Sequence, residues 1–307
     1  MSIAPQLPQV RPLSANDADE AGDILYQAFS VVYDRRSFRP PFPSPEAGAW
    51  LVRAYLDLDP QGAVAAARGP RLDGLGFVHV RGAVASIGPV AARPGAPGGT
   101  GRAIMERLLA LADEAGARTV RLFQDAFNPD SFALYAKLGF AAREAVAYAV
   151  VDRARAARNA PAAAAAPAGR IRQLKTRDLE AVLRLDKSLG GADRRVDFQL
   201  ILQAGVAFGL VRGGDLTGFL FVREGAARVA LAPGAAREPL DLLALVAHAA
   251  AEFPGRALSA RVPAAPPELL RALLGLGFHV DHLGNLMVRG ADVRSGTHLH
   301  AMFPESL

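Results

Sequence analysis

The sequence predicts an α/β protein built of two tandem halves, each a mixed sheet flanked by helices. Three observations predict it. Short apolar runs alternate with amphipathic helical stretches. The pattern that opens the chain recurs in its second half. Between the two copies lies one segment rich in alanine and proline, without a large apolar residue.

The first half opens with Val10, Arg11, Pro12 and Leu13, then Asp17, then a helical stripe through Ala21, Ile24, Leu25 and Ala28. This reads as a strand, an acidic helix start and an amphipathic helix. An irregular or helical segment follows. Strands are expected near 64–67, 75–80 and 83–91, then a glycine-rich turn and a helix over 102–115. A strand over 119–124, a helix over 131–138 and a last strand near 146–151 complete the half. The segment ARAARNAPAAAAAPAG at 154–169 is the expected linker. It divides the chain into expected domains at 1–153 and 170–307, the second ending in a tail.

The second half repeats the first. Arg11, Leu13 and Asp17 return at constant spacing as Arg172, Leu174 and Asp178. Gly74 to Val80 matches Leu216 to Val222 as a central strand. Leu138-Gly139-Phe140 returns as Leu276-Gly277-Phe278. A duplication with copies of roughly 140 residues accounts for all three.

Composition narrows the function. The chain has 307 residues, 51% hydrophobic and 21% charged, as in a soluble globular protein. It has no cysteine, so disulfides, thiolate metal sites and a cysteine nucleophile are excluded. That suits the cytosol, and no secretory signal or membrane span is visible. The net charge of +5 comes from arginines scattered among acids, not from a clustered run, so no nucleic-acid partner is expected. No feature sets an oligomeric state.

The strongest chemical signal runs from Val90 to Met105. A strand enters a turn carrying Gly95, Gly98, Gly99 and Gly101, and the turn opens onto a helix with the stripe Ile104, Leu108 and Leu111. Glycines let successive backbone N–H groups converge, and the helix start adds partial positive charge. Gly98, Gly99, Thr100 and Gly101 therefore form an expected cradle for a phosphate or pyrophosphate, with Arg102 at its rim. No Gly-Lys-Ser/Thr follows, which excludes a Walker loop. The turn comes after several strands, which argues against a dinucleotide-binding turn.

A second element lies downstream: Asn128-Pro129-Asp130-Ser131-Phe132-Ala133-Leu134-Tyr135-Ala136-Lys137-Leu138-Gly139-Phe140. In order and spacing the pair resembles the pyrophosphate loop and the asparagine–helix–tyrosine stretch of the GNAT superfamily of N-acetyltransferases. The resemblance covers roughly residues 10–151 well and the second half in outline. It implies two GNAT-like domains with mostly antiparallel mixed sheets and acetyl-CoA, or another acyl-CoA, as co-substrate. It also implies an amine that attacks the thioester directly. Val90, Ala91 and Ala92 would hold the pantetheine arm and polarise the carbonyl. Ala96 stands where the family pattern begins with Gln or Arg, which removes a side chain but leaves the backbone cradle. Asn128 and Ser131 are expected on the cofactor side, with Asn128 either bonding the pantetheine or capping the helix. Tyr135 matches the tyrosine that protonates the departing thiolate; packing under Phe140 is its alternative role.

The amine must lose a proton. The candidate bases are His79, on the central strand, and Asp125, at a strand end. Residues 33–44, with three arginines and three prolines, are the expected acceptor-side lid. A small-molecule amine is the expected acceptor. The alternatives are a non-catalytic acyl-CoA sensor and a protein or peptide N-acetyltransferase. The second half is expected to be degenerate, since only Gly234 remains at its turn and no tyrosine follows Tyr148. Its stretch from Asp186 to Arg195 resembles a feature of bacterial tandem GNAT proteins and implies either an acceptor wall or a capped helix end. His279, His282, His298 and His300 are expected to face solvent, and no metal is expected.

Overall fold

A computed structural model of the protein describes residues 8–152, 169–225, 228–291 and 297–300. The expected linker, apart from Gly169, lies outside the described residues. The chain forms two compact units. Residues 1–122 and 130–140 make up the first, and residues 123–129 and 141–307 the second.

The first unit contains β1 (Gln9–Pro12), α1 (Ala18–Asp34), α2 (Pro45–Leu58), β2 (Ala63–Arg68), β3 (Arg71–Arg81), β4 (Val84–Ala92) and α3 (Thr100–Glu114). It also holds the start of β5 (Thr119–Asp125) and nearly all of α4 (Pro129–Lys137). The strand order is β1-β2-β3-β4-β5. The first three pairings are antiparallel and β4–β5 is parallel. Successive residues of β3 point to opposite faces. Phe77 meets Tyr55 of α2 at 5.3 Å between ring centroids. Gly76 faces α3, where an added Cβ would lie 2.7 Å from Ile104, so this helix seats directly on the strand backbone.

The second unit contains β6 (Ala141–Val151), β7 (Arg170–Gln173), α5 (Leu179–Ser188), α6 (Arg195–Ala204), β8 (Val206–Arg212), β9 (Asp215–Glu224) and β10 (Val229–Ala236). There follow α7 (Pro239–Glu252), β11 (Leu258–Pro263), α8 (Pro267–Gly275), β12 (His279–Gly290) and β13 (Thr297–Leu299). The order is β12-β6-β11-β10-β9-β8-β7, and β13 also pairs with β10. Only β10–β11 is parallel among these pairings. One apolar cluster joins the sheet to α7 and α8 through Leu242, Leu245, Leu269 and Leu273. A second joins it to α5 and α6 through Val182, Leu185, Phe198 and Leu202. Each unit is thus an α/β layer structure on a mostly antiparallel sheet.

The packing units do not follow the halves of the sequence. β6 belongs to the first copy of the duplication, yet it pairs with β11 along Val146 to Val151 and with β12 along Ala141 to Val150. Residues 123–129 also pack in this second unit. Asn285 Nδ2 donates to Gln124 Oε1 at 2.8 Å, and the Ala126 N–H donates to the Leu283 carbonyl at 3.0 Å.

The repeated Arg/Asp motif has one physical job in both copies. Arg11 grips Asp17 with two bonds of 2.8 Å, and Asp17 accepts from the Ser14 N–H at the helix start. Arg172 grips Asp178 at 3.0 and 2.7 Å, and Asp178 accepts from the Lys175 N–H. Each pair ties the opening strand to the first turn of the helix that follows it.

Candidate functional site

The glycine turn is pinned at its entrance. Arg93 Nε donates to the Leu72 carbonyl at 3.0 Å, and its Nη2 donates to Glu20 at 2.7 Å. The Ala96 N–H closes a turn onto the Arg93 carbonyl at 2.9 Å, so that amide is occupied. Thr100 Oγ1 donates to the Pro97 carbonyl at 2.9 Å. Gly99 then takes a left-handed conformation, φ 91°, as the residue before α3. The Ala103 N–H bonds back to Gly99, whereas the amides of Thr100, Gly101 and Arg102 find no partner among the described residues. Those are the donors that the start of a helix leaves over. They sit where the helix dipole is positive, an arrangement suited to an anion. Arg102 forms an exposed pair with Glu106 at 2.7 Å across one helical turn, so its charge at the rim is shared.

The strand feeding the turn has an open edge. β4 pairs with β5 only from Val84 to Ser86. On the opposite edge Val90, Ala91 and Ala92 pair with Gly76, Leu75 and Gly74. Among the described residues no strand covers the remaining edge of 90–92. Their free backbone groups therefore line a slot that ends at the cradle.

α4 lies against the start of α3. A Cβ added at Gly101 would be 3.7 Å from Leu134, the residue before Tyr135. Gly139, with φ 88°, reverses the chain so that the Phe140 N–H returns to the Tyr135 carbonyl. Tyr135 is half-buried, 6.1 Å from the Phe140 ring centroid, and so is not a core side chain. Ser131 stands one turn before it on the same helix.

In the second unit, the Asn128 N–H bonds the Asp125 carbonyl at 2.9 Å and the Asn128 carbonyl accepts from Gln124 at 2.7 Å. Asp125 Oδ1 stands 3.7 Å from His282 Nε2. His282 Nδ1 contacts Asp281 at 3.0 Å, and its ring stacks on Tyr148 at 4.6 Å. Sequence reasoning missed this histidine. The expectation of solvent exposure is wrong for it: β12 turns its side chain inward, leaving it 9% exposed. His298 and His300 are likewise turned inward, at 17% and 0%.

His79 lies well along β3 from the residues that face 90–92. It pairs with Ser86, five residues along β3 from Gly74, which is about 16 Å in an extended strand. Its Nδ1 lies 2.5 Å from Asp59, which Arg81 also grips at 3.0 and 2.9 Å. Burial pushes the Asp59 carboxyl up, but hydrogen bonds from His79 and Arg81 and their charges outweigh it and hold it at about 2. A carboxyl lowered in the folded state stabilises above its unfolded value and loses that contribution as pH falls through the folded one. Asp59→Ala is therefore expected to destabilise by about 2 kcal/mol at neutral pH. The difference from wild type should shrink as pH falls below about 4 and disappear only below about 2, as read by urea denaturation at several pH values. A difference that does not shrink between neutral pH and pH 2 would show that packing, not charge, carries the effect. A cavity of about 460 Å³ near Asp59, Gly62, Val78 and Leu111 is at the same end of β3, away from the cradle.

Two expectations about the second half resolve into structure. The Asp186 motif is a latch: buried Arg194 pairs with Asp186 and lies 4.6 Å over the Phe198 ring. Gly191 is required there, since a Cβ would fall 2.0 Å from the Asp186 carboxylate. Arg195 is paired with Glu180 at 2.5 Å. Meanwhile the edge of β10 equivalent to that of 90–92 is filled. Gly234, Ala235 and Ala236 pair with Leu299, His298 and Thr297 of β13, and the His300 N–H bonds the Arg261 carbonyl of β11 at 2.9 Å. The chain itself thus occupies the splay between β10 and β11.

The chain matches the acetyltransferase (GNAT) family over residues 19–140 and the acetyltransferase (GNAT) domain over residues 182–300. No curated protein matches it. Among solved structures, it is similar to a protein of Pyrococcus horikoshii described as an acetyltransferase, at TM-score 0.74 and 16% identity, covering 99% of this chain and 97% of that one. It is similar to a tandem GNAT protein from the clavulanic acid biosynthesis pathway, at TM-score 0.64 and 18% identity, covering 92% and 98%. A GCN5-related N-acetyltransferase from Sphaerobacter thermophilus aligns at TM-score 0.64 and 17% identity, covering 94% and 100%. With a GNAT match in each half, the chain belongs to the GNAT acetyltransferase superfamily as a tandem member.

Proposed function

We propose that this protein is an acyl-CoA-dependent N-acyltransferase, with acetyl-CoA as donor, that modifies the amine of a small molecule. One observation carries the reading: the unpaired amides of Thr100, Gly101 and Arg102 lie at the end of the open edge of 90–92. The cradle suits a pyrophosphate, and the open strand edge suits an extended amide-bearing arm. Backbone N–H groups of that edge would polarise the thioester carbonyl, stabilising negative charge on its oxygen.

The amine nitrogen attacks the carbonyl carbon and the carbon–sulfur bond breaks. Tyr135 gives its hydroxyl proton to the leaving sulfur. A phenol of pKa about 10 can serve a thiolate of about 8.5 because the transfer is coupled to bond breaking. A general base takes the proton from the amine. Arg35, Arg36 and Arg39 of the lid are exposed and available to an anionic acceptor.

Tyr135→Phe is expected to lower turnover by about 100-fold with acetyl-CoA affinity within a few-fold of wild type. Unchanged turnover would return Tyr135 to packing alone. The reading as a whole is tested by calorimetric titration with acetyl-CoA, followed by thiol release over a panel of amines led by anionic ones. Binding without release on any amine would favour a sensor. No binding would end the proposal.

A further inference from the structure

We propose that Glu144, His298 and His300 form a site for one zinc-class divalent cation that latches β13 between β10 and β11. Ligand atoms, one from each (a carboxylate oxygen and two imidazole nitrogens), lie within 4.8 Å of one another. Glu144 Oε2 is 2.5 Å from His300 Nε2 and 3.7 Å from His298 Nε2. The histidines are two residues apart on an extended segment, so their side chains leave the same face. Glu144 reaches them from β6.

The surroundings favour a cation over a simple ion pair. Among the described residues the ion pairs of Glu144 are with these histidines, and no lysine or arginine pairs with it. The nearby Arg261 guanidinium is engaged over the Tyr148 ring at 4.9 Å. Phe123 packs edge-on to His300 at 5.0 Å and fixes one ligand ring. Zinc holds nitrogen and oxygen at about 2.0 to 2.2 Å, which sets its ligand atoms about 3.4 Å apart in a tetrahedron. The two distances above bracket that value, so the ligand atoms already stand near the spacing that zinc requires. Two imidazoles and one carboxylate suit zinc better than magnesium or calcium, and water would take the fourth place.

The location gives the cation a purpose. β13 is three residues long and pairs with β10 along Gly234 to Ala236. So short a strand has few ladder bonds to keep it in place. A cation shared with β6 would fasten it across β11 to a second strand of the same sheet. The latch would keep closed, in the second copy, the strand edge that stays open in the first.

The test uses the full-length chain without a histidine tag, stripped with chelator and titrated with zinc chloride by calorimetry. One equivalent is expected to bind, with slower amide exchange at 297–299. Glu144→Gln and His298→Ala should each weaken binding by at least about 100-fold, beyond the roughly 10- to 100-fold cost of losing an outer-shell partner. Exposed His279→Ala should not change it. Both ligand variants should keep the far-ultraviolet circular dichroism of the parent. No stoichiometric binding, or binding that survives both substitutions, would overturn the proposal.

Discussion

A chain ending at residue 153 is expected to be insoluble when expressed alone, although it contains every residue of the first copy. The reason lies in β6. Val146, Ala147, Ala149, Val150 and Val151 are each 3% exposed or less, and the strands on both sides of them, β11 and β12, come from the second copy. The cut removes both partners. It leaves an eleven-residue strand, apolar from Ala145 to Val151, with two open edges, a template for edge-to-edge aggregation. Each buried valine returned to water costs about 1.5 to 3 kcal/mol, so losing even three of them rivals the stability of a whole domain. The cut also removes Asn285, which anchors Gln124 beside Asp125. The check is to compare soluble yield, gel-filtration profile and acetyl-CoA binding of the fragment with those of the full chain. A soluble, monomeric fragment that binds acetyl-CoA would show that 1–153 is an autonomous domain and that the exchange of β6 is dispensable.

Gly99→Val is expected to abolish acetyl-CoA binding, raising Kd by more than about 100-fold. A β-branched side chain at φ 91° is strained by at least roughly 1–2 kcal/mol. The chain relieves that strain by rotating the turn. Rotation disperses the amides of Thr100, Gly101 and Arg102, whose value to an anion lies in their convergence. Gly116→Val is the control, since Gly116 has φ 79° and open space around it at the far end of α3. It should lower thermal stability by a similar amount and leave acetyl-CoA affinity alone. Equal loss of binding in both variants would mean that general destabilisation, not the turn, was measured. Wild-type affinity in Gly99→Val would remove the cradle from the proposed site.

Several features could be read directly from the residues because their causes are local. The pairs Arg11–Asp17 and Arg172–Asp178 close over six residues, so spacing alone reveals them. The glycine turn before α3 is equally local: a left-handed residue, then an amphipathic stripe whose period is that of a helix. Tyr135 is found by its place before Gly139-Phe140, where one positive-φ glycine sets the geometry.

Other features depend on partners far apart in the chain, and no local pattern names them. Period-two alternation marks β6 as a strand but does not say which strand it pairs with, and it pairs across the duplication. His282 reads as a surface residue in the sequence because the histidines of this region alternate along a strand and tail. It is inward because Asp125 and Tyr148, more than 130 residues earlier, meet it there. Asp186 and Arg194 are close in sequence, but only the packing of Phe198 shows that the arginine is buried and committed to the latch rather than offered to an acceptor. The duplication, the α/β class and the glycine turn before α3 are legible in the residues, since all are set by backbone propensity and spacing within a few residues. Tertiary structure alone decided which strands were exchanged, that β13 fills the second slot and which histidines meet carboxylates, because burial and strand pairing depend on what arrives from elsewhere in the chain.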